Sequence, residues 1–66
     1  MLANDLFKAV VFTKEEGETR EIFRTRIFTE LKEVWQVLKG INLKDNWKVS
    51  IIRNDMVLEI RNANEI

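Results

Sequence analysis

The one convincing helical periodicity of apolar and polar positions lies in residues 29–40. Apolar side chains recur there at intervals of three and four residues, which is the spacing of one face of an α-helix. Thr29 can cap the N-terminus of such a helix, and Gly40 can take the left-handed conformation that often follows a helix C-terminus. The sequence therefore predicts one amphipathic helix that packs on the rest of the chain through Leu31, Val34, Trp35 and Leu38.

The segments 6–14 and 18–26 are rich in β-branched and aromatic residues and predict a β-hairpin before the helix. Two turn registers are open to this hairpin. A three-residue loop ending at Gly17 places Lys14 opposite Glu18, whereas a two-residue loop places Glu15 opposite Glu18. We favour the three-residue loop, because it pairs opposite charges where the other register pairs like charges.

Residues 47–61 predict a second hairpin, in which Asn54 and Asp55 form a two-residue turn because both residue types tolerate a positive φ. This register sets Ile52 opposite Val57. Successive strand residues point to opposite sides of a sheet, so one side of the hairpin is predicted to be apolar and to pack under the helix. Its members are Trp47, Val49, Ile51, Met56, Leu58 and Ile60.

Two hairpins and one helix in the order ββαββ predict a two-layer α+β domain. Its four-stranded, mainly antiparallel sheet is covered on one face by the single helix, and the pattern leaves the strand order undetermined. No proline, repeat or linker divides residues 1–66, which are predicted to form a single domain after an irregular lead-in over residues 1–5. A domain of this size buries only about 60% of the surface of its unfolded chain. Because the sequence has no cysteine for a disulfide, oligomerisation is a favoured source of stability.

Apolar side chains also fall on the side of the predicted sheet that the helix leaves uncovered. Exposed apolar clusters of this kind usually mark contacts with another chain, although single apolar side chains are common on surfaces. The sequence therefore predicts a protein interaction surface, used by a homodimer or by another protein partner. Its predicted residues are Val10, Phe12, Ile22, Ile52 and Val57.

The same uncovered side of the first hairpin is predicted to be basic. It can be a solvated sheet face, or it can follow the phosphates of a nucleic acid, as some small sheets do. Phe12 is the only aromatic residue predicted there, and the 11 basic and 11 acidic residues of the chain cancel. Nucleic-acid binding is therefore the alternative to protein binding, through Lys8, Lys14, Arg20, Arg24 and Arg26.

Catalytic chemistry has few candidate groups in this sequence. Histidine and cysteine are absent, Ser50 is the only serine, and two glycines are too few for a glycine-rich phosphate loop. We therefore expect no enzymatic activity and no cofactor. The carboxylates around the first turn, from Glu15 to Glu18, could hold a divalent cation weakly, but a solvated turn is the simpler interpretation and no metal is assigned.

Trp35 and Trp47 can either frame a ligand pocket or belong to the core, and core packing is the expected role of large aromatic residues at such spacing. No apolar run approaches the roughly 20 residues of a membrane span. The N-terminal residues carry no cationic segment followed by an apolar one. These features predict a cytoplasmic protein without a membrane partner.

Overall fold

A computed structural model describes residues 5–66 and confirms the two-layer ββαββ arrangement. The strands are β1 (Phe7–Glu15), β2 (Glu18–Arg24), β3 (Lys48–Arg53) and β4 (Met56–Asn62). Helix α1 (Leu31–Lys39) joins the two hairpins, and a short 3-10 helix (Ala63–Glu65) follows β4. The four strands form one sheet in the order β2-β1-β3-β4, in which every neighbouring pair is antiparallel. Most of the predicted lead-in, residues 1–4, lies outside the described residues.

The core lies between α1 and the two central strands. From the helix, Val34 and Leu38 are buried, while Leu31 and Trp35 are partly buried and pack against the same cluster. Burying one such side chain fully stabilises a fold by about 1.5–3 kcal/mol. Trp47 also packs on this cluster, so both tryptophans belong to the core, as predicted. The buried cluster consists of Ala9, Val11, Phe28, Val34, Leu38, Val49 and Ile51.

The predicted N-cap of α1 is wrong, and Gly40 ends the helix as predicted but not in the predicted left-handed conformation. The helix begins one residue later than a Thr29 cap requires, because Phe28 forms a bridge with Phe7 through two backbone hydrogen bonds of 2.8 Å and keeps the chain extended. Glu30 occupies the N-cap position and makes no capping hydrogen bond through its side chain. Gly40 remains in the right-handed region, with φ of −84°. The helix is therefore stabilised by packing of its apolar face rather than by side-chain caps.

The favoured register of the first hairpin is also wrong. Glu15 lies opposite Glu18, and the loop consists of Glu16 and Gly17 alone, with φ of 52° and 83°. Two successive positive φ values are the geometry of a type I′ turn, whose twist matches that of the flanking strands. All four residues are exposed, so solvent screens the repulsion between the two opposed carboxylates. Turn geometry therefore decides this register, and charge pairing does not.

Replacing Glu16 by asparagine is expected to stabilise the protein. Asparagine tolerates a positive φ better than glutamate, and Asn-Gly is the preferred type I′ sequence. The expected gain in the free energy of unfolding is about 0.5–1 kcal/mol, measured by urea denaturation. Glu16→Gln is the matched control, because it removes the same charge without relieving the backbone. An equal gain in both variants would attribute the effect to charge and contradict the turn geometry.

A β-bulge interrupts the alternation of side chains in each edge strand. In β2 the register shifts between the partners of Val11 and Phe12, and Ile22 is the extra residue. In β4 the shift lies between the partners of Ile51 and Ile52, and Leu58 is the extra residue. Because strand residues alternate between faces, each bulge reverses the facing of the residues beyond it. The two bulges therefore determine which side chains reach the uncovered side of the sheet.

Candidate protein-interaction surface

The side of the sheet that faces away from α1 is defined by the strand registers. On β1, Ala9, Val11 and Thr13 are buried towards the helix, so the residues between them point to the other side. Directly paired residues of neighbouring strands share a face. We call the resulting surface the helix-free face. Its residues are Lys8, Val10, Phe12, Lys14, Thr19, Glu21, Arg24, Lys48, Ser50, Ile52, Val57, Ile60 and Asn62.

Five apolar residues occupy the middle of the helix-free face, and we call them the apolar centre. Val57 and Ile60 on β4 are 59% and 57% exposed, and the other three are partly buried. The one α-helix of residues 5–66 packs on the opposite side of the sheet. The apolar centre therefore presents side chains from three adjacent strands to solvent. Its members are Val10, Phe12, Ile52, Val57 and Ile60.

A cavity of about 140 Å³ adjoins the apolar centre where β1 begins. This volume is well below the roughly 300–1,000 Å³ of typical small-molecule sites. It suits the insertion of one side chain from a partner, which is how interfaces commonly anchor their central residues. The lining residues are Leu6, Phe7, Lys8, Ile27, Ile52, Asn54 and Asp55.

Four of the five predicted interface residues lie on the helix-free face: Val10, Phe12, Ile52 and Val57. The placement of Ile22 is wrong, because Ile22 packs against the core cluster. The shorter turn accounts for this difference, because it pairs Phe12 with Glu21 instead of Arg20 and so turns Ile22 towards the helix. The bulge then returns Phe23 and Arg24 to the faces predicted for them.

Ile60 joins the helix-free face although the sequence pattern places it in the core. The alternation predicts that Ile60 lies beside Val49, whereas the bulge at Leu58 pairs it with Ser50. A single extra residue in β4 produces this change. The sequence contains no signal for it, because Glu59 and Arg61 fall at the polar positions of the regular alternation in β4. Those two residues pair instead with the core residues Ile51 and Val49.

The predicted basic surface is only partly assembled. Lys8, Lys14 and Arg24 lie on the helix-free face, but Arg20 pairs with Thr13 on the side of the helix. Arg26 follows β2, and its guanidinium carbon lies 4.6 Å from the centre of the Phe28 ring. The placement of Arg20 on this face is therefore wrong, because the shorter turn pairs it with Thr13 instead of Phe12. Arg26 is not among the paired residues of β2, so the strand register does not assign it to this face.

Arg24 is ion-paired on the helix-free face. Its Nη2 donates to Glu21 Oε1 at 2.6 Å, and its Nε donates to Glu21 Oε2 at 3.0 Å. The hydrogen bonds from Arg24 lower the pKa of the Glu21 carboxyl, and the same contacts raise the pKa of Arg24. Both groups are exposed, so the pair is worth little to stability. Its main effect is to neutralise the cation at this end of the face.

The remaining charge around the apolar centre is positive. Lys48 lies beside Phe12 on β3, and its Nζ donates to Asn62 Oδ1 at 2.9 Å. Lys8 and Lys14 lie on the same face along β1, and Glu21 is its one acidic residue. The helix-free face therefore combines an apolar centre with a rim of three lysines and one neutralised arginine.

Chemically reactive groups are sparse around this face. Ser50 is buried between Val10 and Ile60, and no imidazole or thiol exists in the chain to activate it. Residues 5–66 contain no group of three carboxylate side chains that could hold a metal ion, and the turn glutamates are no exception. The helix within the described range is too short and polar to cross a membrane.

The chain was compared with protein-family models, curated proteins and solved structures, and none of them matches it.

Proposed function

We propose that this chain is a non-catalytic interaction protein that binds another protein through the helix-free face. The observation that supports the proposal is the apolar centre, which exposes side chains of three strands on the side of the sheet away from α1. Contiguous apolar surface of this kind, rimmed by polar groups, typically marks a protein contact. The adjoining cavity of about 140 Å³ offers an anchoring position for one side chain.

The charge around the apolar centre indicates which charge the partner's surface carries. Lys8, Lys14 and Lys48 would face acidic side chains in a complementary complex, because like charges across an interface weaken it strongly. A second copy packed face to face through this surface would bring three more lysines and one carboxylate, Glu21, that is already paired with Arg24. The occupant proposed for the helix-free face is therefore a different protein, with an apolar patch surrounded by aspartate and glutamate.

A nucleic-acid partner is less well supported by the same residues. Single strands are held by several aromatic side chains on which bases stack, and Phe12 is the one aromatic residue of this face. Arg24 is neutralised by Glu21, Arg20 lies on the helix side of the sheet, and the guanidinium of Arg26 packs on the Phe28 ring. Aliphatic side chains occupy the positions between the lysines, which suits a protein surface better than a phosphate backbone.

The test is a binding measurement on two variants that place a negative or a positive charge at the exposed position Val57. Proteins retained by the immobilised chain from an extract of its source would be identified, purified and titrated by calorimetry. Val57→Glu is expected to raise the dissociation constant at least about tenfold, because it buries a carboxylate against an acidic rim. Val57→Lys should weaken binding less, since it loses the same apolar contact but keeps the favourable charge.

Met56→Glu is the matched control, because Met56 is the neighbouring residue, is 74% exposed and pairs with Arg53 on the other side of the sheet. Equal weakening by Val57→Glu and Met56→Glu, or none by either, would reject the helix-free face as the binding surface. Retention from an extract without binding in purified form would count against the proposal. Tight binding of a labelled oligonucleotide, with a salt slope of about −0.7 per phosphate on single strands, would assign the face to nucleic acid instead.

A further inference from the structure

The outer edge of β4 is a second unpartnered surface. Seven large apolar side chains of residues 5–66 are exposed, and four of them lie on this strand. Within the described range the sheet ends at β4. An apolar edge with open backbone groups is the surface that another strand joins by hydrogen bonding. The four residues are Met56, Val57, Leu58 and Ile60, between 49% and 74% exposed.

The other edge of the sheet has the opposite character. β2 carries four charged residues in seven, whereas β4 carries two in seven, and each of the two edge strands has one bulge. Charged side chains are among the usual features that prevent an edge strand from pairing with another chain, and they distinguish β2 from β4. Strand addition is therefore favoured at β4 and disfavoured at β2. The charged residues of β2 are Glu18, Arg20, Glu21 and Arg24.

The backbone geometry of β4 identifies which groups are open. The Ala63 N–H donates to the Trp47 carbonyl at 2.9 Å. Hydrogen-bonded and non-hydrogen-bonded pairs alternate along an antiparallel ladder, so the N–H and C=O groups of Ile60 and Asn62 point away from β3. The Asn62 N–H donates to Glu65 Oε1 at 2.9 Å. Between the bulge at Leu58 and the end of β4, Ile60 is therefore the residue whose donor and acceptor both face the outer edge and have no partner within the strand.

If β4 of a second copy joined this edge, the charged residues of β4 would favour one register of the two strands. Glu59 and Arg61 lie on the helix side of the sheet, because their partners Ile51 and Val49 are core residues. Within one copy the two side chains form an exposed ion pair of 3.1 Å, which can rearrange to include the charges of a second copy. In an antiparallel pair centred on Ile60, Glu59 lies opposite Arg61 of the second copy, and the reverse pair forms as well. Moving the centre by one residue in either direction would set one of these charges opposite itself, which is unfavourable.

We propose that two copies of this chain dimerise by antiparallel pairing of their β4 strands about a two-fold axis at Ile60. Ile60 exchanges two backbone hydrogen bonds with its counterpart, and two Glu59–Arg61 pairs flank them. The four-stranded sheets join into one eight-stranded sheet with both helices on the same side. Ile60 is shared with the apolar centre, but the pairing uses the strand edge, so this proposal and the helix-free face proposal can fail separately.

Sedimentation equilibrium of the parent chain, from about 1 to 500 µM, is the first measurement. A reversible dimer with a micromolar dissociation constant is expected, because one short strand pair buries less than a standard interface of about 1,600 Å². Its apparent melting temperature should rise with concentration, since association stabilises the folded state. A strictly monomeric chain over this range would overturn the proposal.

Charge exchange tests the register. Arg61→Glu and Glu59→Arg should each weaken the dimer about tenfold, because each replaces two attractive pairs by two repulsive ones. The double variant Glu59→Arg with Arg61→Glu restores both pairs and should regain the parent affinity. The guanidinium carbon of Arg61 also lies 5.0 Å from the centre of the Trp35 ring, so replacing Arg61 could affect folding. Circular dichroism at low concentration checks that each variant folds. A folded double variant that fails to recover dimerisation would overturn the register.

A cysteine cross-link tests the axis directly in a chain that has no cysteine of its own. Ile60→Cys would place two Cα atoms about 5.5 Å apart across the axis, within the span of a disulfide. Oxidised glutathione should then convert this variant to a covalent dimer. Phe23→Cys, an exposed position on the other edge strand, is the matched control and should cross-link far more slowly. Equal rates for the two variants would refute the proposed axis.

Discussion

Replacing Leu38 by alanine is expected to leave the isolated chain largely unfolded at about 37 °C. Leu38 is 1% exposed and is among the largest fully buried side chains of residues 5–66. Large-to-small substitutions in a core cost about 2–5 kcal/mol, and a core of this size supplies about 3–5 kcal/mol of net stability. Thermal and urea denaturation followed by far-ultraviolet circular dichroism would measure the loss.

Two exposed positions of the same helix serve as controls for Leu38→Ala. Lys32 and Gln36 are both exposed, and Lys32 has only a marginal ion pair of 4.0 Å with Glu30. Replacing either by alanine should change the free energy of unfolding by less than about 0.5 kcal/mol. Losses comparable to that of Leu38→Ala would mean that α1 packs through another face, and the helix-free face would then be wrongly assigned.

Thr25→Val is expected to be the most damaging substitution outside the apolar core. The Thr25 side chain is 5% exposed, and its Oγ1 accepts a hydrogen bond from the Ala9 N–H at 3.0 Å and donates to the Arg26 carbonyl at 2.8 Å. Valine has a similar shape but no hydroxyl, so the buried Ala9 N–H loses its acceptor. Leaving such a group unsatisfied costs about 1–3 kcal/mol.

Amide hydrogen exchange would locate the effect of Thr25→Val. The Ala9 amide should exchange faster in this variant relative to other core amides, because its local hydrogen bond is lost. Thr25→Ser keeps the hydroxyl and should retain the slow exchange of Ala9, although it loses one buried methyl group. If serine and valine accelerate the Ala9 amide equally, the hydroxyl does not protect it and the assigned hydrogen bond is absent.

The sequence was sufficient to predict the helix, both hairpins and the two-layer arrangement. The spacing of Val34 and Leu38 identified the buried face of α1, since burial follows helical periodicity. Asn54 and Asp55 identified the second turn, and both have the positive φ that this turn requires. These features depend on local chemistry, which a short window of sequence contains. The strand order depends on contacts between distant segments and could not be predicted from such windows.

The composition of the uncovered face was predicted less well, because it depends on register. Charge pairing favoured a three-residue loop, but the backbone at Glu16 and Gly17 adopts the tighter turn. That tighter turn moves Ile22 from the uncovered face to the core side, and the bulge at Leu58 moves Ile60 from the core side to the uncovered face. A bulge arises from packing between strands, and neither Ile22 nor Leu58 is a residue type that signals one.

The pairing of β1 with β3 has a consequence for how the chain folds. Each hairpin closes over a two-residue turn, and such hairpins form in roughly 1–10 µs. The central pair instead aligns Phe7 with Arg53, so it must bring distant parts of the chain together against a larger loop-closure entropy. An isolated hairpin is marginal in water, and a nine-residue helix is too short to persist alone. Docking of the two hairpins is therefore expected to be the slow step, with α1 becoming stable only as they meet and no intermediate accumulating.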